Sequence, residues 1–402
     1  MDRLANTVRP YAWGSTSAIP ALLGTEGTGE PQAELWLGAH PGDSSRVDRG
    51  DGEVELSEVI AADPVGELGA AAVAHFGPTL PFLLKVLAAE LPLSLQVHPS
   101  RAQAQQGFAA EEAAGIPVGA GHRNYKDANH KPELICALEE FDGFCGFREP
   151  LETAALMEEL AVPGLAPLID LLRTKPVGPA LRETLATVLA IDSVVVEDTV
   201  AQLAAALDAK LAAEPDSPRA PAWAGYATAA RHYPGDPGVL AALLLNVVRL
   251  RAGEALYLGA GVPHAYLHGT GVEIMANSDN VLRCGLTPKH VDVPELLKVV
   301  RFEAGDPGVL RPRAGADGEE LFPVPIDEFR LSRFELTEDG PVRRVDGRAA
   351  QILLCTEGCV LLTDAAGEKL ELAKGQSAYL PATGSDTELS GRGTLFRATV
   401  TL

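Results

Sequence analysis

The chain has 402 residues, of which 46% are hydrophobic, and a formal net charge of −22 at pH 7. This length exceeds what one hydrophobic core usually serves, and no apolar stretch is long enough for a membrane helix, so we expect two or three domains outside the membrane. The charge argues against nucleic acid and anionic membrane surfaces as partners, because both attract clustered Lys and Arg.

The N-terminus and the cysteines favour a reducing compartment. MDRLANTVRPYAWG has acidic and polar residues where an export signal would have an apolar core. The five cysteines are few, odd in number and scattered, so a disulfide framework is not expected and a cytoplasmic location is. Cys355 and Cys359 have no second pair that would complete a metal site, so we interpret them as strand residues.

Three regions with different secondary-structure patterns follow one another along the chain. From about residue 8 to 148, short apolar runs such as LPFLLKVL and LPLSLQVHP are broken by Gly and Pro, which is typical of strands joined by turns. Residues 149–248 are rich in Ala, Leu and Glu with apolar residues at helical spacing. Strand patterns then return and continue to Leu402, with one helix predicted at VPELLKVV, residues 293–300.

This order predicts a mainly β protein with an α-helical insertion. A first β domain is expected in two segments, residues 1–148 and 249–315, on either side of a helical insertion at 149–248. A second β domain is expected at 316–402. We take a monomer as the default oligomeric state.

A short internal sequence repeat favours two related β domains, and chance recurrence of such strand-turn strings is the alternative. GEALYLGAG, which starts at Gly253, recurs as GQSAYLPAT, which starts at Gly375. Eleven residues after the first glycine stands His264, and the equivalent residue of the second copy is Asp386. If the two domains are related, only the first keeps a candidate metal ligand at this position.

The stretch LSLQVHPS raises the question of a metal site. Its alternation predicts a strand that directs Gln96 and His98 to the same side. Glu133 begins an apolar run in NHKPELICAL, and His264 follows a Gly-Pro bend in GVPHAY. Two imidazoles, a carboxylate and an amide oxygen would suit zinc or another divalent ion. Each residue taken alone also has an ordinary structural interpretation, and their separations are too long for a local metal motif.

Several strings, in the same order, resemble those of type I phosphomannose isomerases: YAWGS (11–15), AELWLGAHP (33–41), PFLLKVL (81–87), LSLQVHPS (93–100), NHKPE (129–133) and GVPHAYLHGTGVEIMANSDNVLRCGLTPKH (261–290). The similarity extends from near residue 6 to about 300, with a looser match beyond about 310. The resemblance implies two cupin-like jelly-roll β-barrels with the helical insertion. It also implies one zinc ion per chain, bound by Gln96, His98, Glu133 and His264.

The resemblance further implies the reversible interconversion of mannose 6-phosphate and fructose 6-phosphate. Such an isomerisation needs a base that moves a proton between C1 and C2, and stabilisation of an enediol oxyanion, for which a metal is a suitable Lewis acid. The family's site offers Glu273, in GVEIMANSD, as the base. Lys131 or a zinc-bound water can share this task, and Glu273 is equally well explained as a strand residue that only positions its neighbours.

The substrate's phosphate needs local cations in a chain of this net charge. Arg283 and Lys289 are expected to hold it, with Ser94 donating a hydrogen bond. Apolar and small residues surround Arg283, and a buried arginine needs an anionic partner. The resemblance places the matching arginine either at the phosphate or near the reacting carbons. Lys85 and Lys131 each interrupt a strand-like stretch, which favours a pocket role over a surface role.

The remaining site residues are predicted by position. We expect Trp13, Tyr266 and Asp279 to line the pocket. Other acidic and imidazole side chains are not assigned to a larger metal cluster, namely Asp127, His130, His268 and His290, and His40 is expected to be structural. The long connection between His98 and Glu133 begins with helical character, and we expect it to border the mouth of the site.

Two functions of other classes compete with an isomerase. A barrel with two histidines and a glutamate also suits an Fe(II)-dependent cupin oxygenase, because ligand type alone does not fix the metal. The glutamine ligand and the set of lysines and arginine argue against it. A non-catalytic sugar-phosphate sensor would keep the pocket without turnover, but the presence of Glu273, Arg283 and Lys131 argues against that interpretation.

Overall fold

The computed structural model describes residues 1–402 and contains helix and strand in equal shares, 31% each. The prediction of a mainly β protein therefore underestimated the helices. None of these helices combines the length and hydropathy that crossing a membrane requires.

The first part of the chain mixes strands with short helices. Its elements are β1 (Asp2–Arg3), β2 (Thr7–Arg9), α1 (Ala18–Leu23), β3 (Glu34–Leu37), β4 (Ala39–His40), β5 (Asp43–Ser44), β6 (Arg46–Asp48), β7 (Glu53–Glu55), α2 (Leu56–Ala62), α3 (Pro64–Leu68), α4 (Ala70–Phe76), β8 (Phe82–Ala89), β9 (Leu95–Val97), α5 (Arg101–Ala113), β10 (Glu133–Ala137) and β11 (Phe141–Phe147). The sequence patterns missed α1 to α4, because helices of five to seven residues are too short to show a helical period. Burial of Leu56, Ile60 and Leu68 fixes these helices on the core instead.

A helical block follows, as predicted. Its helices are α6 (Pro150–Leu160), α7 (Ala166–Thr174), α8 (Val177–Ala190), α9 (Ser193–Ala213), α10 (Ala220–His232) and α11 (Pro237–Ala242), with a 3₁₀ turn at Pro163–Leu165. The block enters after β11 and leaves into β12 (Leu245–Leu250), and these two strands pair antiparallel. The helical block thus connects two adjacent antiparallel strands, a connection that a short hairpin turn could also make. Its first and last residues are therefore close together. The helices end at Ala242 rather than near residue 248, because β12 begins at Leu245.

Strands dominate the rest of the chain. The elements are β13 (Ala255–Leu258), β14 (His264–Ala276), β15 (Leu282–Gly285), α12 (Val293–Val299), β16 (Arg313–Ala314), β17 (Glu319–Phe322), β18 (Arg330–Leu336), β19 (Arg343–Val345), β20 (Gln351–Thr363), β21 (Lys369–Ala373), β22 (Ser377–Leu380) and β23 (Thr387–Thr399), with a second 3₁₀ turn at Ala316–Gly318. The helix predicted at 293–300 is confirmed as α12.

Two large antiparallel sheets organise these strands. The first has the order β12-β11-β14-β8-β3-β2, with β9, β10, β13 and β15 attached to it. The second has the order β1-β22-β20-β23-β18-β17-β16, with β19 and β21 attached. We call these the first and the second β unit. The first residues of the chain belong to the second unit, because β1 pairs with β22.

The internal sequence repeat has a structural counterpart. Gly253 and Gly375 have φ values of +84° and +82°, and β13 and β22 each begin two residues later. The long strands β14 and β23 have 13 residues each. Gly269 lies in the middle of β14 with φ +122°, and a Cβ there would come within 2.7 Å of a backbone oxygen. Only glycine fits such a bend.

The two units pack against each other through one face of each sheet. Leu134 and Ile274 of the first unit share a buried cluster with Ile352 and Phe396 of the second. The other face of the first sheet has a separate cluster, which includes Ile135 and residues from five further strands. Polar side chains that interrupt this second cluster form the site described next.

Candidate metal centre and active site

Three strand ends meet at one point of the first β unit. Gln96 in β9 pairs with His264 at the start of β14, and Glu133 begins β10, which pairs with the far end of β14. His98 lies just beyond β9, and its carbonyl oxygen accepts a hydrogen bond of 2.8 Å from the backbone N–H of Gly261. This bond ties the Gly-Pro bend before His264 to the segment that carries His98. Pairing between strands thus brings together residues that are far apart in the sequence.

The side chains of His98, Glu133 and His264 converge on one oxygen atom. Nε2 of each histidine lies 3.4 Å from Oε2 of Glu133. The ligand-type atoms of all three residues lie within 4.8 Å of one another. The side-chain amide of Gln96 is 3.4 Å from Nε2 of His264, and half a turn of this amide exchanges its nitrogen and oxygen. The four predicted ligands therefore lie together.

Both histidines are oriented so that Nε2 faces this cluster. Nδ1 of His98 is 2.8 Å from the carbonyl oxygen of Asn280, and Nδ1 of His264 is 2.9 Å from that of Val262. A carbonyl oxygen only accepts, so each Nδ1 donates its proton there and each Nε2 keeps a lone pair for a metal. Burial lowers the pKa of His98, which favours the neutral, ligating form.

Two atoms of the cluster are buried without a hydrogen-bond partner, Nε2 of His98 and Oε2 of Glu133. Burial by itself raises the pKa of Glu133, but Lys131 and His98 lower it well below its usual range, so the carboxylate is ionised. Its other oxygen, Oε1, is 3.0 Å from Nζ of Lys131. A nitrogen lone pair and an anionic oxygen that face each other in a buried place call for a cation between them. Imidazole nitrogen and carboxylate oxygen are common zinc ligands, so the residues fit zinc.

A cavity of about 580 Å³ opens over the cluster. Its lining includes all the predicted substrate and catalytic residues, together with two of the predicted ligands: Ser94, Lys85, Lys289, Trp13, Tyr266, Asp279, Arg283, Glu273, Lys131, Gln96 and Glu133. The other two ligands, His98 and His264, are fully buried beside Glu133. The structure therefore brings every predicted site residue to one place, while the role of each remains a prediction.

Glu273 is a buried carboxylate between a hydroxyl group and an ammonium group. The Tyr266 hydroxyl donates a hydrogen bond of 2.9 Å to Oε1, and Nζ of Lys85 is 3.5 Å from Oε2. Burial raises the pKa of Glu273 to about 7, although the charge of Lys85 opposes the rise. A carboxylate whose pKa is near neutrality is suited to accept a proton and return it.

Lys85 serves two carboxylates at once. Its Nζ is also 3.6 Å from Oε2 of Glu34, and it lies over the ring of Trp36 at 5.2 Å. Burial by itself would lower the pKa of Lys85, but Glu34 and Glu273 raise it above its usual value. The ammonium group therefore stays charged, and it fixes the two carboxylates relative to each other.

Arg283 and Lys289 form a cationic end of the same cavity. Burial lowers the pKa of the half-buried Arg283, and no acidic group opposes this effect. Burial, followed by the nearby charge of Arg283, lowers the pKa of Lys289. Arg283 lies in β15 between the buried Leu282 and Cys284, as its sequence surroundings predicted. A cation without a protein partner, set in a cavity, suits an anionic ligand.

Comparison with known proteins identifies the family. Residues 1–150 match the family model for the catalytic domain of type I phosphomannose isomerase, and residues 319–400 match that for the cupin domain of mannose-6-phosphate isomerase. The chain is 43% identical over 400 residues to the mannose-6-phosphate isomerase of Escherichia coli (strain K12), which covers 99% of both chains. This chain belongs to the type I phosphomannose isomerase family.

Other relatives agree with this membership. The chain is 34% identical over 388 residues to the mannose-6-phosphate isomerase of Homo sapiens, which covers 89% of this chain and 88% of the human one. The crystal structure of a mutant phosphomannose isomerase from Salmonella typhimurium matches with a TM-score of 0.92 and 40% identity over 100% of both chains. A zinc-bound mannose 6-phosphate isomerase matches with a TM-score of 0.90 and 40% identity, over 100% of this chain and 99% of the other.

Within this isomerase-family fold, the second β unit has different residues at the metal position. Glu133 pairs with Leu258 in the first unit, and Gln351 pairs in the same way with Leu380, the counterpart of Leu258 in the sequence repeat. The buried guanidinium of Arg397 donates a hydrogen bond of 2.6 Å from Nε to Oε1 of Gln351. The amide oxygen of Gln351 is thus occupied by a fixed cation, and its charge repels a metal ion. The metal-type group of His98, Glu133 and His264 lies in the first unit.

Sequence patterns missed several residues of this site, of which four have clear contacts. Glu34 and Trp36 line the cavity, and Nε1 of Trp36 donates a hydrogen bond of 2.6 Å to Glu34. Glu34 is the single charge in the buried strand ELWL, and this was the available signal. Tyr233 reaches the cavity from the helical block. Asn280 accepts the hydrogen bond from His98 with its backbone carbonyl oxygen. Every residue type has such a carbonyl, so the sequence does not indicate this contact.

The residues that were set aside stay outside the metal cluster. His268 and His290 are exposed. Asp127 accepts a hydrogen bond of 2.8 Å from the backbone N–H of Asp279, so it holds a loop. His40 packs edge-on against an indole ring, with 4.9 Å between the ring centroids. Cys355 and Cys359 are free and lie in β20, and this confirms their interpretation as strand residues.

Only the end of the long connection after His98 reaches the cavity. The connection begins with α5, as its sequence predicted. Of residues 99–132, Lys131 alone lines the cavity. The expectation that this segment borders the mouth therefore applies to its last residues, and α5 itself is not part of the lining.

Proposed function

We propose that the chain interconverts mannose 6-phosphate and fructose 6-phosphate. The observation that carries this proposal is one cavity that combines a metal-type cluster, two cations without anionic partners, and Glu273 with its raised pKa. These are the three elements that an aldose-ketose isomerase acting on a sugar phosphate needs. Similarity to mannose-6-phosphate isomerases along nearly the whole chain supports the same reaction.

Zinc is the metal that we propose, one ion per chain, held by Gln96, His98, Glu133 and His264. The two buried atoms without partners and the oriented imidazoles support this choice. When bound there, zinc supplies Lewis-acid polarisation of the oxygens at the reacting carbons of the open-chain sugar. The residues around it bind the sugar, orient it and move the proton.

Glu273 is the group that we assign to proton transfer between C1 and C2. Tyr266 and Lys85 hold its two oxygens, so the carboxylate is oriented before substrate arrives. With a pKa of about 7, the carboxylate is deprotonated often enough to take the proton from the substrate. Once protonated, it is a strong enough acid to return that proton. Lys131 lines the same cavity, and we assign to it a hydrogen bond to the oxygen that becomes negatively charged in the enediolate.

Arg283, Lys289 and Ser94 are proposed to hold the phosphate group. The planar guanidinium of Arg283 can donate two parallel hydrogen bonds to phosphate oxygens, whereas Lys289 contributes a point charge. The net charge of −22 repels an anionic substrate, so these local cations must outweigh the overall field. Trp13 and Asp279 complete the lining and are proposed to contact the sugar.

We also propose that the two β units are cupin-like jelly-roll barrels. In the first unit the strands β13, β10, β14, β8, β3 and β2 are neighbours in that order, and β22, β20, β23, β18, β17 and β16 repeat this order in the second. The repeated order and the match of residues 319–400 to a cupin domain support this proposal. The proposed domains are residues 1–148 with 249–315, 149–248, and 316–402. Two strands cross these bounds, since β1 pairs with β22 of the second unit and β12 begins at Leu245 and pairs with β11 of the first. Five free cysteines are consistent with a cytoplasmic location, and the monomeric state stays a prediction.

The test is a coupled isomerase assay with mannose 6-phosphate. The protein is assayed as purified, after chelation, and after zinc is restored. We expect turnover to disappear with the chelator and to return with zinc, and zinc to raise the thermal midpoint of the chelated protein, because a ligand stabilises the state that binds it. Glu133→Gln should lose the zinc response, whereas Glu139→Gln, at an exposed position beyond the same strand, should keep it.

The competing functions give different results. Zinc-loaded protein that binds mannose 6-phosphate without turnover would favour the sensor. Oxygen consumption that depends on added Fe(II) would favour the oxygenase. Either result would reject the isomerase proposal.

A further inference from the structure

One carboxylate of the second β unit contacts both chain segments that carry the metal ligands. Oε1 of Glu328 is 2.7 Å from Nε2 of His130, and it also accepts a hydrogen bond from Nη2 of Arg101. Arg101 lies three residues after His98, and His130 lies three residues before Glu133. The carboxylate of Glu328 thus links the segment after one ligand to the segment before another.

Glu328 is itself held firmly. It is buried and directly precedes Phe329, which is fully buried in the cluster shared by the two β units. Burial by itself raises the pKa of Glu328, but the hydrogen bond from His130 and the charge of Arg101 lower it to about 2. The carboxylate is therefore ionised at neutral pH, and hydrogen bonds to an ionised group are stronger than neutral ones.

The loop before Glu133 is also fixed by a residue of the first β unit, Asn280. Oδ1 of Asn280 accepts a hydrogen bond of 2.7 Å from the backbone N–H of Lys126. Nδ2 of Asn280 donates a hydrogen bond of 2.7 Å to the carbonyl oxygen of Asn129. His130 and Lys131 follow directly, so contact with Glu328 is the next restraint along the chain before the metal ligand.

We propose that Glu328 is a positioning residue through which the second β unit holds Glu133 and Lys131 at the active site. The inference rests on the proposed function, since it assigns a role to residues of that same site. It gives the second β unit a part in catalysis beyond covering the first unit. Glu328 does not line the cavity, so it acts through His130 and Arg101.

The experiment compares Glu328→Ala, Glu328→Gln and Asp327→Asn in the full-length protein. Asp327 is the adjacent carboxylate, but it is exposed and its side chain approaches only the exposed His75, at 3.9 Å. We expect Glu328→Ala to raise the dissociation constant for zinc about tenfold and to lower kcat about tenfold, because a loosened support misplaces the groups it holds. The KM for mannose 6-phosphate should stay within about twofold, since the phosphate-binding cations lie on other segments.

The glutamine variant distinguishes loss of the positioning contacts of Glu328 from general misfolding of the protein. Glu328→Gln keeps an oxygen that accepts hydrogen bonds, so it should recover part of the loss in zinc affinity and kcat. A double mutant with Lys131→Met provides a second readout. If Glu328 acts partly through Lys131, Glu328→Ala should lower kcat by a smaller factor in the Lys131→Met background than in the wild-type background.

The outcomes are distinct. Wild-type zinc affinity and kcat in Glu328→Ala would overturn the inference, as would equal losses in Asp327→Asn. The inference would also be overturned if Glu328→Ala left zinc affinity unchanged and lowered kcat by the same factor in the wild type and in Lys131→Met. Failure of the proposed function is recognised separately, because then the zinc-loaded wild-type protein itself gives no turnover.

Discussion

Nδ1 of His98 donates a hydrogen bond of 2.8 Å to the backbone carbonyl oxygen of Asn280. The side chain of the same Asn280 is fully buried and bonds to the backbone of Lys126 and Asn129. One residue therefore orients a candidate zinc ligand with its backbone and holds the loop before another ligand with its side chain. A change at Asn280 should consequently affect stability and zinc binding together.

We predict that Asn280→Ala lowers the free energy of unfolding by about 2–4 kcal/mol, because buried backbone groups lose their partners. It should also weaken zinc binding by about 10- to 100-fold, as the loss of residues that support metal ligands commonly does. Urea unfolding and competition with a chelator measure the two effects. Asn246→Ala is the control, because Asn246 also donates to several backbone carbonyls but outside the site. Equal zinc affinity in the two variants would contradict the prediction.

The raised pKa of Glu273 predicts the pH dependence of turnover. A base must be deprotonated, so kcat/KM should fall as the pH drops below about 7 and level off above it. Glu273→Gln should lower kcat by about 10²- to 10⁴-fold and remove this acid limb. Tyr266→Phe should move the limb to higher pH, since the phenol hydrogen bond favours the ionised carboxylate. Rate profiles between pH 5.5 and 9 at constant zinc occupancy test this, and an acid limb that persists in Glu273→Gln would assign the base elsewhere.

Replacing Arg283 tests its role as a phosphate anchor. Arg283→Met should raise the KM for mannose 6-phosphate about 10- to 100-fold, because a charge-assisted hydrogen bond contributes about 1.5–3 kcal/mol. Inorganic phosphate should inhibit the wild type competitively but not this variant. The thermal midpoint should not fall, since Arg283 has no acidic partner that would be left unpaired. Arg249→Met, which removes an exposed pair with Asp142, is the control. A loss in kcat alone would place Arg283 near the reacting carbons.

Lys85 is predicted to stabilise the fold through the two carboxylates that it neutralises. Lys85→Met should lower the free energy of unfolding at pH 8 by about 3–5 kcal/mol, because it leaves buried charges without a partner. The loss should be smaller near pH 6. Removing the cation raises the pKa of Glu273 further above its unfolded value, so stability is lost as the pH rises through that pKa. Urea unfolding at both pH values measures this change. As the control, Lys210→Met, at a partly exposed surface ion pair with Glu214, should change stability by less than about 1 kcal/mol at either pH. Equal losses at pH 6 and pH 8 would contradict the assignment.

How much could be predicted varies from element to element. The helical block and α12 were predicted because their apolar residues recur at helical spacing over several turns. The short helices α1 to α4 were not, because fewer than two turns show no period and packing decides their conformation. Gln96 and His98 were recognisable from a strand alternation, but Glu133 and His264 joined them only through the family resemblance. Glu34 was missed, since one charge in a buried strand does not show which cation it will meet.

The sequence by itself determined the order of the strand-rich and helix-rich regions, the excess of negative charge and the sequence motifs shared with the family. These features depend only on residue type and local spacing. Only the tertiary structure decided that His98, Glu133 and His264 face one point, that Lys85 lies between two carboxylates, and that Glu328 of the second β unit reaches both ligand-bearing segments. The physical reason is that these relationships arise from strand pairing and packing between distant segments. Burial then sets the charge of each group, and burial is a property of the folded chain.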